Sequence, residues 1–104
     1  MLMLTKANKN ALPALYAQSE LPANEAMCHV KFFGIGSAGA WTWYAMEFDG
    51  EDTFFGYVVG PYPELGYFSL AELTSLKWMG IPAVERDRNW SPRTLQQVKS
   101  EHMK

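Results

Sequence analysis

The sequence predicts an α+β domain: a three- to four-stranded antiparallel sheet with short helices at the N-terminus, after the sheet and at the C-terminus. Three observations predict it. Two alternating aromatic runs, AWTWYAMEF at 40–48 and TFFGYVVG at 53–60, flank an acidic turn. Ser69 with Glu72 three residues on opens an apolar helical run, the signature of a capping box. Ser91-Pro92 precedes a second such run near the C-terminus, with proline at the first helical position.

The elements follow in order. Thr5 is an N-cap for a short helix carrying Ala7, Ala11 and Leu12, and Pro13 kinks it or starts a second turn through Tyr16. SELPANE at 19–25 reads as a loop. Residues 26–34 read as one strand, with Cys28, Val30 and Phe32 facing one way and the intervening residues the other. Gly34, Gly36 and Gly39 form a connection; without the Lys-Ser/Thr of a P-loop, and preceding a strand, it does not suit phosphate.

In 40–48, Trp41, Trp43, Ala45 and Glu47 are expected on one face, and Thr42, Tyr44, Met46 and Phe48 on the other. Both faces are largely apolar, so this is a central strand covered on both sides. Asp49-Gly50 is a favoured turn pair. In the return strand, Gly56 lets a neighbouring ring lie against the backbone. Tyr67-Phe68 is a short extended piece before a helix from Leu70 to about Trp78, stopped by Gly80. Val84–Arg88 reads as a polar edge strand. The last helix runs from about Pro92 to Ser100, with Leu95, Val98 and Met103 on its apolar stripe.

A length of 104 residues suits one domain over residues 1–104. Hydrophobic residues make up 48% and charged residues 19%, a globular rather than disordered balance. A net charge of −2 argues against nucleic-acid binding by phosphate neutralisation. Charge placement says more. No basic residue lies between Lys31 and Lys77, whereas six acids do. Cys28 is the only cysteine, which excludes an internal disulfide and a multi-cysteine zinc site. There is no apolar run of membrane-spanning length and no signal-peptide pattern, so a cytoplasmic protein is expected.

The chemistry-bearing residues do not assemble into a known motif. Asp49, Glu51 and Asp52 lack the spacing of a calcium loop and read as a solvated turn. Cys28 and His29 are adjacent in a strand and point to opposite faces, so they make no nucleophile–base pair. No catalytic residue, cofactor or metal is expected. The aromatic set is the feature with most functional promise, as Trp and Tyr anchor protein interfaces. The candidate binding residues are Trp41, Trp43, Tyr57, Glu64, Tyr67 and Arg86.

The segments LTKANKNALPALY, WTWYAMEFD, FFGYVVG, PELGYFSLAEL and IPAVERDRNW-SP together resemble domain-of-unknown-function family 2958, over most of the chain. The glycine-bearing insert at 34–39 is longer than that family's pattern. The resemblance implies an accessory protein of bacterial plasmids, phages and other mobile elements. It implies no activity and assigns no site residue.

The expected function is a non-enzymatic module that binds a protein partner through an aromatic, acid-ringed sheet surface. Such a surface suits a basic, nucleic-acid-binding partner, and a homodimer is also open. Two alternatives stand beside it. One is a small-molecule-binding or hydrolytic pocket lined by Glu64, Tyr67 and Arg86. The other is nucleic-acid binding through the basic termini.

Overall fold

The computed structural model of the protein describes residues 3–102. In chain order its helices are α1 (Lys6–Ala11), α2 (Leu70–Ser75) and α3 (Leu95–His102). Its strands are β1 (Met27–Cys28), β2 (Val30–Gly34), β3 (Thr42–Phe48), β4 (Thr53–Val59), β5 (Glu64–Ser69), β6 (Lys77–Trp78), β7 (Ile81–Pro82), β8 (Val84–Arg86) and β9 (Arg93–Thr94). Five strands form one antiparallel sheet in the order β5-β4-β3-β2-β8. Two ribbons, β1 with β9 and β6 with β7, lie outside it. The α+β class read from the sequence is the one observed. No helix among the described residues is long and apolar enough to cross a membrane.

β3 is the middle strand, and both its faces are covered. On one face Val30, Phe32, Trp43, Ala45, Phe48, Phe54, Phe68 and Val84 pack with Leu4, Leu12 and Leu73 from the α1 and α2 side. On the other, Cys28, Tyr44, Met46 and Tyr57 pack with Ala26 and with Leu95 and Val98 of α3. The sheet is thus the middle layer, covered on one face by α2 and the residues flanking α1 and on the other by α3.

Two irregularities decide which residue faces which core. The expected single strand over 26–34 breaks at His29, whose amide donates to the Ala45 carbonyl at 2.8 Å. Cys28 therefore enters the α3-side core, while Val30 and Phe32 enter the other. In β3 the register against β4 shifts between Ala45 and Glu47. One extra residue reverses the alternation beyond it. Phe48 thereby joins Trp43 and Ala45, and Glu47 leaves the face on which simple alternation put it.

Local chemistry explains the ends of the elements. Thr5 and Asn8 form a reciprocal capping box at α1. At α2, Ser69 Oγ accepts the Glu72 amide at 3.0 Å. The neighbouring amides of Leu70 and Ala71 go to the carbonyl and the carboxylate of Asp52, both at 2.8 Å. α2 is shorter than expected because Met79 and Gly80 adopt left-handed φ of 51° and 81°. They form a tight turn that pairs Trp78 with Ile81, so Trp78 is not helical. Left-handed φ at both central residues is the geometry of a type I′ two-residue hairpin loop. The Trp78 ring lies against Gly36, where a Cβ would overlap the indole.

α3 starts later than the Ser-Pro pair suggests. Arg93 and Thr94 pair with Cys28 and Met27, and Thr94 and Gln97 then exchange capping hydrogen bonds at 2.9 and 3.2 Å. The stripe of α3 buries Leu95 and Val98; Met103 lies outside the described residues. Gly56 admits a close approach, as expected. The Tyr44 carbonyl comes nearest, and the Phe68 ring stands 3.1 Å from where a Cβ would be.

Phe54 is the hub of the larger core, stacked on Phe48 at 4.5 Å and on Phe68 at 5.0 Å, with Phe32 edge-on at 5.7 Å. Phe54→Ala is expected to lower unfolding free energy by about 3–5 kcal/mol, measured by urea denaturation. A loss below about 1 kcal/mol, far under the cost of emptying a packed aromatic site, would contradict this packing.

Candidate functional site

The six residues singled out from sequence do not converge. Trp43 and Tyr57 are buried on opposite sides of the sheet. Trp41 is partly exposed, stacks on Trp43 at 6.2 Å and lies over Gly60. Glu64 and Arg86 sit on β5 and β8, the two outer strands. Four inter-strand steps of about 4.8 Å separate those edges, so the two residues cannot line one pocket. Arg86 Nη1 donates to the Met3 carbonyl at 3.3 Å. Tyr67 alone of the six borders the site described next.

That site is a cleft of about 270 Å³ between β5 and the turns that follow α1. Its walls are Tyr16, Leu21, Phe55, Leu65 and Tyr67, and Met46 and Glu47 lie at its base. The bulge in β3 sends Glu47 here. Glu47 is only 6% exposed, and its two carboxylate oxygens accept the amides of Tyr16 at 2.8 Å and Gln18 at 2.9 Å. These bonds satisfy a charge that would otherwise be costly to bury.

The rest of the turn segment is fastened by the Gln18 amide. Its nitrogen donates to the carbonyls of Met27 and Met46 at 3.2 and 3.1 Å, and its oxygen accepts the Met27 amide at 2.7 Å. The Phe48 amide donates to the Pro13 carbonyl at 2.9 Å. Held this way, Tyr16 takes a left-handed φ of 70°, uncommon for a residue with a side chain. Tyr16 is 67% exposed and Tyr67 is 57% exposed, with their hydroxyls 3.4 Å apart. The hydrogen bond to Tyr16, with the Glu47 carboxylate nearby, raises the Tyr67 pKa above its usual value.

Sequence reasoning placed Glu47 in the acidic stretch but missed its role, along with those of Tyr16, Gln18, Leu21 and Leu65. The available signal was one acid inside the otherwise apolar run TWYAMEF, a buried charge in need of donors.

Other concave regions are larger but less specific. One of about 370 Å³ is bordered by Trp41, Trp43, Glu72 and Lys77, and another of about 420 Å³ by Ile35, Ile81 and Pro82. Their borders contain no buried charged side chain. The acidic turn has a structural occupation: Asp49 Oδ1 accepts the amides of Glu51, Asp52 and Thr53 at 2.8, 2.9 and 3.1 Å. Those bonds hold the Asp49 pKa below its usual value. Burial pushes the Cys28 thiol up to about 12, the reverse of what an activated nucleophile needs.

Two measurements check these electrostatics. Cys28 should resist Ellman's reagent at about pH 8 in the folded protein and react once urea unfolds it; fast labelling of folded protein would contradict its burial. Asp49 has a lowered folded pKa, so its contribution is full above the ordinary value of 3.8 and is lost as pH falls through the lower folded value. Asp49→Asn should therefore flatten the acid limb of a stability–pH profile. An acid limb as steep as that of the unsubstituted protein would contradict the assignment.

No curated protein and no solved structure matches the chain. The family model described as "Protein of unknown function (DUF2958)" matches residues 3–99. With nearly the whole chain matched, this protein belongs to that family.

Proposed function

We propose that the chain is a small, non-enzymatic interaction module that binds a basic protein partner through the aromatic cleft beside β5. The observation that carries this reading is the conjunction of exposed rings with a buried acid at one sheet edge. Tyr16, Leu21, Leu65 and Tyr67 are all exposed there, around the base formed by Glu47. Exposed tyrosines around an apolar centre resemble the anchor points of protein interfaces. Charge supports the partner's sign: the stretch from 32 to 76 has no Lys or Arg.

Two features weigh against the other readings. The pocket expected from Glu64, Tyr67 and Arg86 does not form, because Glu64 and Arg86 lie on opposite edges of the sheet. Two of the basic residues invoked for nucleic acid are already paired, Lys31 with Asp87 and Arg93 with Glu101. A mobile-element setting, implied by the family resemblance, fits an accessory module that engages a host protein.

The test is affinity capture from nuclease-treated bacterial lysate with quantitative mass spectrometry. The protein is compared with a Leu21→Ser/Tyr67→Ser variant, whose fold is checked by circular dichroism. A saturable basic partner retained by the unsubstituted protein and lost by the variant is expected. Equal retention by both would place the binding surface elsewhere.

A further inference from the structure

At the opposite edge of the sheet from the cleft, we propose that a small basic pocket binds a phosphate group, as the free anion or as the terminal group of a phosphate monoester. This goes beyond the protein-binding reading, because the cleft lies beside β5 and the pocket beside β8. The pocket holds about 180 Å³ and is lined from α1, from the start of β2 and from the end of β8 with the turn that follows. Backbone bonds bring these segments together. The Asp87 amide donates to the Lys31 carbonyl at 2.9 Å, and the Trp90 amide to the Asp87 carbonyl at 3.4 Å. Arg86 lies opposite Phe32 in the β2–β8 register. Lys31, Arg86 and Arg88 thereby border one concavity.

Charge selects the ligand. Those three cations face a single acid, Asp87, a local balance of +2 in a chain whose net charge is −2. Asp87 is already engaged: Oδ1 accepts the Asn89 amide at 3.0 Å, and Oδ2 stands 3.7 Å from Lys31 Nζ. That separation exceeds ordinary hydrogen-bond length, so the ammonium is attracted to Asp87 without donating to it. Arg86 is anchored, with Nη1 donating to the Met3 carbonyl at 3.3 Å, and brings a fixed positive charge. Glu85 alternates to the other side of β8 and borders a different concavity. Neutral donors complete the lining. Asn8 Oδ1 accepts the Thr5 amide at 3.0 Å, which leaves its side-chain NH2 as donor. Burial lowers the His29 pKa, so its imidazole enters uncharged, with one ring N–H to donate. Guanidinium groups match the oxygens of phosphate and carboxylate alike. The balance of two charges favours the phosphate dianion over a monovalent carboxylate. Lys6 and Lys9, on the same short helix as Asn8, extend the positive field that draws an anion in.

The experiment is a 15N NMR titration of the full chain at about pH 8, where a phosphate group is a dianion, with chloride holding the ionic strength constant. The ligands are inorganic phosphate, adenosine 5′-monophosphate, adenosine and acetate. Saturable shifts of the Lys31, Arg88 and Trp90 amides are expected with the two phosphates and not with adenosine. Tighter binding of the nucleotide would assign the monoester as the source, and equal or tighter binding of inorganic phosphate the free anion. Arg88 is exposed, so its replacement leaves the core intact. Arg88→Gln should weaken phosphate binding about threefold to tenfold, the range for losing one charged contact at a surface, and Arg88→Lys should recover part of it. No saturable shift with either phosphate, saturable shifts confined to other residues, acetate binding as tightly as phosphate, or unchanged affinity in Arg88→Gln would overturn the proposal.

Discussion

The arrangement around β5 depends on one constraint: the Glu47 carboxylate must be satisfied inside the fold. The bulge between Ala45 and Glu47 turns this side chain away from the Trp43 face and toward the turns after α1. There the amides of Tyr16 and Gln18 close on it. Each hydrogen bond to a charged group contributes about 1.5–3 kcal/mol. A residue held in a sparsely populated backbone region costs about 1–3 kcal/mol. Two such bonds therefore outweigh the strain at Tyr16, and the left-handed φ of 70° persists as a consequence of the acid's position.

That constraint links the two cores to the surface. β3 carries the residues that divide them, with Trp43, Ala45 and Phe48 on one side and Tyr44 and Met46 on the other. Gln18 binds the Met27 and Met46 carbonyls, so the turn segment rests on the same strand that supplies Glu47. The far end of that face is closed by α3, whose His102 meets the Tyr44 hydroxyl at 2.6 Å. Burial, with Glu101 nearby, raises the Tyr44 pKa to about 12, which keeps the phenol protonated. One end of the α3-side face is thus sealed by helix, and the other remains open at β5 as the cleft.

The fold class was legible because β3 and β4 have strong alternating aromatic patterns and because Asp49 and Ser69 have local jobs. Asp49 ties three successive amides in the turn, and Ser69 caps α2. The fifth strand was less legible. In ELGYFS only Phe68 is buried, so β5 lacks the apolar alternation that marks a covered strand, for the same reason that it is open to a partner. The site was hidden by the bulge. Alternation alone assigns Glu47 to the wrong face, and only the pairing of β3 with β4 reveals the shift. Trp43 and Tyr57 read as binding residues because aromatic residues serve cores and interfaces alike; burial separates the two uses.

Native-state hydrogen exchange on the unsubstituted protein and on Glu47→Ala tests most directly whether the buried carboxylate organises the cleft. In the unsubstituted protein the Tyr16 and Gln18 amides should be protected. In Glu47→Ala that protection should vanish across residues 14–21 while the Phe54 amide stays slow, because local opening is then uncoupled from the sheet. Rapid exchange at Tyr16 and Gln18 in the unsubstituted protein, or unchanged protection in the variant, would contradict the account.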